Sequence, residues 1–266
     1  MAYIEDFFAF FGKSFFYVAD LFKGLGAFVL FHIRLFPLYF KPPYRIRETM
    51  QQIVIVGVGS IGVIALTGTF TGLVEAVQLY QGFHKFGAEN MMGYTIFISI
   101  TKELGPVFAG LMLTSRAISA MAAELGTMRV TEQIDALETL AVNSKNYLIV
   151  PRIIATTISL PLLVAIFDFA GNLSAYLIST KALGVNETEY VNTIHMYLSY
   201  SEIYSGLLKG AVFGFTIGSI GTYIGYFTSG GARGVGESTT MAVVYSAMMV
   251  FVLDYFLSSL FLVLDW

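Results

Sequence analysis

The 266-residue sequence has no cysteine, one tryptophan, three histidines, and only 12% charged residues. A soluble domain carries roughly 25% charge. Without cysteine there can be no disulfide, thiolate metal site or cysteine nucleophile. His32, His84 and His195 are too scattered to form a metal centre, and no Ser-His-Asp or paired-carboxylate layout emerges, so no catalytic residue is expected. Excess basic charge is also absent: 15 Lys and Arg against 18 Asp and Glu give a net charge of -3, a poor field for gripping a phosphate backbone, so no nucleic-acid partner is expected. No GxxxxGK[ST] loop occurs, and any ATP must be bound elsewhere.

What the chain has in quantity is apolar surface. Hydrophobic residues make up 56% of it, and the mean hydropathy is +0.72. A helix needs about 20 mostly apolar residues to cross roughly 30 Å of hydrocarbon. Runs of that length lie near Ile53 to Tyr80, Tyr94 to Ala122, Tyr147 to Thr180, Ile203 to Phe227 and Met241 to Leu264. The expected fold is an all-α integral membrane protein with about five spans, the polytopic part covering 51–266. Residues 1–50 read as an N-terminal interfacial region: Phe7, Phe8, Phe10, Phe11, Phe15 and Phe16 alternate with charges, and the run from Leu25 to Phe40 is interrupted by His32, Arg34 and Pro37. An amphipathic elbow is expected there rather than a full crossing. The acidic start lacks the basic n-region and cleavage pattern of a signal peptide.

Short loops rich in Lys and Arg stay cytoplasmic. Lys41, Arg45 and Arg47 precede the first span, Arg129, Lys145 and Arg152 surround the second connection, and Arg233 lies in the fourth. The other side keeps Lys85 and Lys181 among Glu89, Glu187, Glu189 and Glu202. The N-terminus is therefore expected inside and Asp265-Trp266 outside.

The segment IVIVGVGSIG, Ile53 to Gly62, contains a GxGxxG spacing. A dinucleotide site needs that turn between a strand and a helix, whereas here the apolar run continues to Glu75, and a membrane helix is the better reading. Small residues four apart let helices approach closely. Gly210, Gly214 and Gly218 form such a series and are expected to be packing positions, with Gly68 and Gly72 as a second pair. Asn186-Glu187-Thr188 matches a glycosylation pattern too short to carry weight.

Ionisable groups inside spans are costly and usually face a cavity or a partner. They are Glu75, Lys102, Glu103, Arg116, Asp168, Lys209 and Asp254. Arg116, Lys209 and Asp254 read as structural pairs or snorkelling groups. Lys102 and Glu103, neighbours that point in different directions, read as groups serving a transported headgroup. Between the second and third spans, Val130, Ile134 and Leu137 share one helical face while Glu132, Asp135 and Glu138 lie away from it, giving a short amphipathic helix at the cytoplasmic surface. An ion-coupled transporter working alone and a non-transporting scaffold are the alternatives; no internal repeat supports the first.

The block KELGPVFAGLMLTSRAISAMAAELGTMRVTEQIDALETLAVN, Lys102 to Asn143, and the later GARGVGESTTMAVVYS, Gly231 to Ser246, resemble the MlaE family of ABC-transporter permeases. The resemblance implies a homodimeric permease of the bacterial inner membrane that moves phospholipid between membranes. A separate cytoplasmic ATPase would bind ATP and Mg, while a periplasmic MCE-domain protein and a STAS-domain protein complete the complex. It further implies that Lys102 and Glu103 lie by the lipid path. The segment Glu124 to Leu140, with Glu124, Arg129, Glu132, Gln133 and Asp135, would couple to the ATPase. Relatives often carry Arg where this chain has Lys102, a point charge in place of a bidentate fork.

Overall fold

A computed structural model describes residues 22–264. The phenylalanine-rich stretch from Phe7 to Phe16 and the terminal Asp265-Trp266 lie outside the described residues. Among those described, the fold is entirely helical, and the chain divides between Tyr44 and Arg45 into two units. The first holds α1, Phe22–Tyr39. Contrary to the expected interruption, α1 stays helical through His32, Arg34 and Pro37. His32 Nδ1 lies 2.9 Å from the Phe28 carbonyl one turn back, which keeps the ring's polar edge on the helix. By length and composition α1 joins five other helices that are long enough and apolar enough to cross a membrane.

Those five belong to the second unit: α2 Ile46–Phe86, α3 Glu89–Val130, α5 Lys145–Lys181, α7 Tyr200–Tyr226 and α8 Gly231–Val263. Two short helices connect them, α4 Gln133–Thr139 and α6 Glu187–Tyr197. Each long helix exceeds the apolar run expected for it, because polar residues at its ends continue the backbone hydrogen bonding into the interface. The glycine-rich turn at Gly57 to Ser60 stays helical, tightening into one 3-10 turn, and no strand precedes it. Asn186 caps α6, its Oδ1 accepting from the Thr188 and Glu189 amides at 2.9 and 3.2 Å, an ordinary N-cap role for that residue.

The core is layered around α5 and α7. α5 packs on α2 along one side and on α7 along the other, while α7 also meets α3 and α8. Glycine makes these approaches possible. A Cβ on Gly214 would fall 2.5 Å from the Thr156 carbonyl, one on Gly218 2.1 Å from Thr156 Oγ1, and one on Gly210 3.2 Å from Pro161 Cα, all on α5. Gly68 and Gly72 of α2 meet α5 at Phe167 and Gly171 in the same way. α7 is the most enclosed span, with 56% of its most apolar stretch buried, against 17% for α8.

Candidate functional site

The unusual chemistry begins with a proline. Pro106 has no N–H, so the Lys102 carbonyl four residues earlier loses its normal helical donor. The turn Ser99–Leu104 widens into a π-helix, with the Gly105 amide reaching back to the Ile100 carbonyl. Such bulges often mark functional sites. Here the freed Lys102 carbonyl accepts from Lys209 Nζ of α7 at 3.1 Å.

Lys209 is fully buried and gathers the site. Its Nζ donates to Glu103 Oε2 at 2.5 Å and to Ser258 Oγ at 2.7 Å, and pairs with Asp254 Oδ1 at 2.9 Å. Ser258 in turn donates to Glu103 at 3.2 Å. An ammonium has three protons, so these four acceptors more than saturate it. The Glu103 side chain is still 43% exposed, while that of Lys209 is 0%. The cluster thus joins α3, α7 and α8 through an ion network with one face open. Lys209 and Asp254, read from sequence as structural, and Glu103, read as functional, belong to one constellation. Ser258 was not singled out, yet a signal existed: it lies four residues after Asp254, on the same face of one helix.

Arg116 sits elsewhere. It lies within a second π turn, Thr114–Ile118, and its Nη1 donates to the Ile55 carbonyl at 3.1 Å and Ser60 Oγ at 2.8 Å, stitching α3 to the tightened turn of α2. A Cβ on Gly59 would lie 2.4 Å from its guanidinium, so the glycine-rich motif makes room for an arginine.

At the end of the bundle formed by α4, the expected single amphipathic helix is two pieces. α3 runs on through Glu124 and Arg129 to Val130, and Glu132 then adopts a left-handed conformation, φ 59°, that redirects the chain into α4. A left-handed non-glycine residue cannot continue a helix. Ile134 is fully buried, fixing α4 against the core. Glu124 pairs with the buried Arg152 of α5 at 2.8 Å, and Arg129 with Asp135 of α4 at 2.6 Å. Gln133 Nε2 donates to Thr131 Oγ1 at 3.0 Å. Glu132 and Asp135 are exposed.

Glu138 closes this end. The Ser144 hydroxyl at 2.7 Å, then the Tyr226 hydroxyl at 3.1 Å, donate to its carboxylate and hold it below its ordinary value of 4.5. A lowered carboxylate pKa gives stability that is present above the ordinary value and lost as pH falls through the folded one. Acidification through the carboxylate range is therefore expected to lower amide-exchange protection, taken relative to the intrinsic rate at each pH, in residues 139–144 while the spans stay protected. Glu138→Gln should give that loss of protection already at neutral pH; protection unchanged in both cases would show that the carboxylate anchors nothing.

Comparison with known proteins agrees with this architecture. The family model described as Permease MlaE matches residues 49–260. The chain is similar to a probable ABC transporter permease protein of Rickettsia prowazekii, 41% identical over 239 residues that span 90% of this chain and 92% of that one. It is 39% identical over 215 residues to Trigalactosyldiacylglycerol 1, a chloroplastic protein of Arabidopsis thaliana, across 81% of this chain and 61% of the plant protein. The intermembrane phospholipid transport system permease protein MlaE of Haemophilus influenzae is 32% identical over 262 residues, 97% and 98% of the two chains.

Proposed function

The chain belongs to the MlaE permease family, and from that premise we propose that it is the membrane subunit of an ATP-driven transporter carrying phospholipid between the inner and outer membranes. In this reading two copies form the permease, and a cytoplasmic ATPase that holds ATP and Mg drives them. An MCE-domain protein, with a STAS-domain protein, completes the assembly. The N-terminus is cytoplasmic and α1 serves as the elbow at the inner-membrane surface.

The observation that carries the reading is the half-exposed Glu103 carboxylate on the buried Lys209 cluster. An ion at mid-span facing plain hydrocarbon is costly, so its open face calls for water, a headgroup or a second copy. Lys102, on the same widened turn, adds a cation suited to phosphate. Photo-crosslinking from position 103 in native membranes tests this: labelled phospholipid under turnover supports the path, and labelled protein neighbours without lipid overturn it.

Coupling is assigned to α4 and the turn before it. Glu132, Gln133 and Asp135 offer an exposed polar surface, while Glu124 and Arg129 brace it through Arg152 and Asp135. Charge-complementary docking of this kind is disrupted when charges are reversed. Changing Glu132 and Asp135 together to Lys is expected to release the ATPase and abolish transport with the fold intact. Since Asp135 also holds Arg129, Asp135→Asn alone separates loss of the internal pair from loss of docking. Retained ATPase binding in the double reversal would place the contact elsewhere.

A further inference from the structure

Of the ionisable groups within the spans, Glu75 belongs neither to the Lys209 cluster nor to the end of the bundle formed by α4. It lies on α2 five residues before Tyr80, where the apolar run ends, and so about 7 Å inside that run at 1.5 Å per residue. Among the described residues no hydrogen bond or ion pair engages its carboxylate. Its oxygens are not among the buried, unpartnered polar atoms, so a molecule beside the helix can reach them. An accessible acid at this depth, with nothing in the chain to offset it, points to a partner from outside.

Glu75 sits in an open groove of about 410 Å³ between α2 and α3. The walls are apolar, with the exposed Phe70 and Val74 from α2 and Leu104 and Phe108 from α3. Thr67, Thr71 and Glu75 recur at intervals of four and form a polar line along the groove. That line can only accept. Thr67 Oγ1 donates its proton to the Val63 carbonyl at 2.6 Å and Thr71 Oγ1 to the Thr67 carbonyl at 2.8 Å, which leaves each hydroxyl its lone pairs. An ionised carboxylate likewise has no proton to give. A groove built of acceptors within the apolar depth selects a donor that carries positive charge, whereas a phosphate, itself an acceptor, finds nothing to bind there.

We propose that this groove holds the primary ammonium head of an ethanolamine phospholipid, donating N–H to Glu75 with a chain along Phe70 and Phe108. Such charge-assisted hydrogen bonds are roughly twice as strong as neutral ones. The pair is neutral overall, and hydrocarbon tolerates it where it penalises a bare carboxylate. A choline head has the charge without an N–H, and a glycerol head has donors without the cation. A basic side chain from a second copy is the competing occupant. Within that copy's spans, however, Lys209 is buried, Arg116 is committed to Ile55 and Ser60, and Lys102 has a contact of its own. The inference deepens the lipid-transport reading, on which the class of ligand rests, by naming the head.

The full chain is placed in phosphatidylcholine nanodiscs with a trace of phospholipid bearing a diazirine in its chain, and adducts are mapped by mass spectrometry. Three probes are compared that differ only in head: ethanolamine, choline and glycerol. Labelling of residues 66–75, taken relative to the other spans, is expected to be about tenfold higher for the ethanolamine probe, as a hydrogen bond to a charged group allows. Glu75→Gln keeps the shape and strands no partner inside the chain, and should bring the three probes level. Equal ratios in the unaltered protein, or a preference that survives Glu75→Gln, would overturn the headgroup assignment. Crosslinking from position 103 would still decide the transport path by itself. A segment 66–75 that no probe labels would mean that protein covers the groove, and would overturn the proposal as well.

Discussion

Replacing Lys209 with Met is expected to be the most damaging single change in the membrane core. The substitution keeps length and apolar stem but removes the cation that Glu103, Asp254 and Ser258 share. Two carboxylates on α3 and α8 would then face each other's neighbourhood without compensation. Breaking a buried ion pair costs roughly 3–5 kcal/mol, and with Glu103 partly open to its surroundings the low end, about 3 kcal/mol, is expected. Neutralising all three groups, with Lys209→Met, Glu103→Gln and Asp254→Asn together, should recover most of that loss, since no charge is left stranded. Transport should stay lost in the triple variant if Glu103 serves the lipid path. Thermal unfolding of the purified chain and a lipid-transport assay separate the two roles. A Lys209→Met protein as stable as Glu103→Gln would remove the network from the fold's support, and a triple variant that transports normally would remove it from function.

The other large effect is expected at Gly214. A side chain there begins 2.5 Å from the Thr156 carbonyl and 3.0 Å from Thr157 Cα, so it meets backbone that cannot rotate away. Gly214→Leu should therefore separate α7 from α5 and cost at least the roughly 1–3 kcal/mol typical of overpacking. Even Gly214→Ala should destabilise measurably, because the clash starts at Cβ. Gly62→Leu is the control: it lies on α2 with nothing within 4 Å of an added Cβ. Since the partner of Gly214 is α5 of the same chain, the loss should not vary with protein concentration. A Gly214→Leu protein that melts with the Gly62→Leu control, or one whose loss disappears at high concentration, would contradict the intrachain packing.

How much of this was readable beforehand depends on the range of the physics involved. The need for a lipid solvent, the all-helical class and the approximate spans follow from quantities that add up along the chain: apolar length, charge cost and backbone hydrogen bonds that a helix satisfies within itself. The exclusion of a dinucleotide site at Gly57 to Gly62 was likewise local, since the apolar run allowed no strand to end there. The break at Glu132 was not legible, because helical periodicity continues across it and only a left-handed φ, held by the burial of Ile134, redirects the chain. Spacing marked Gly210, Gly214 and Gly218 as close-packing positions without naming what they touch. Tertiary structure decided that they meet α5 and that Gly59 makes room for Arg116. It also decided that Lys209, rather than the adjacent Lys102, partners Glu103. Neighbours on a helix diverge by about 100° while residues 106 apart in sequence can share a seam; which charges pair is thus settled by the crossing of helices and not by order along the chain.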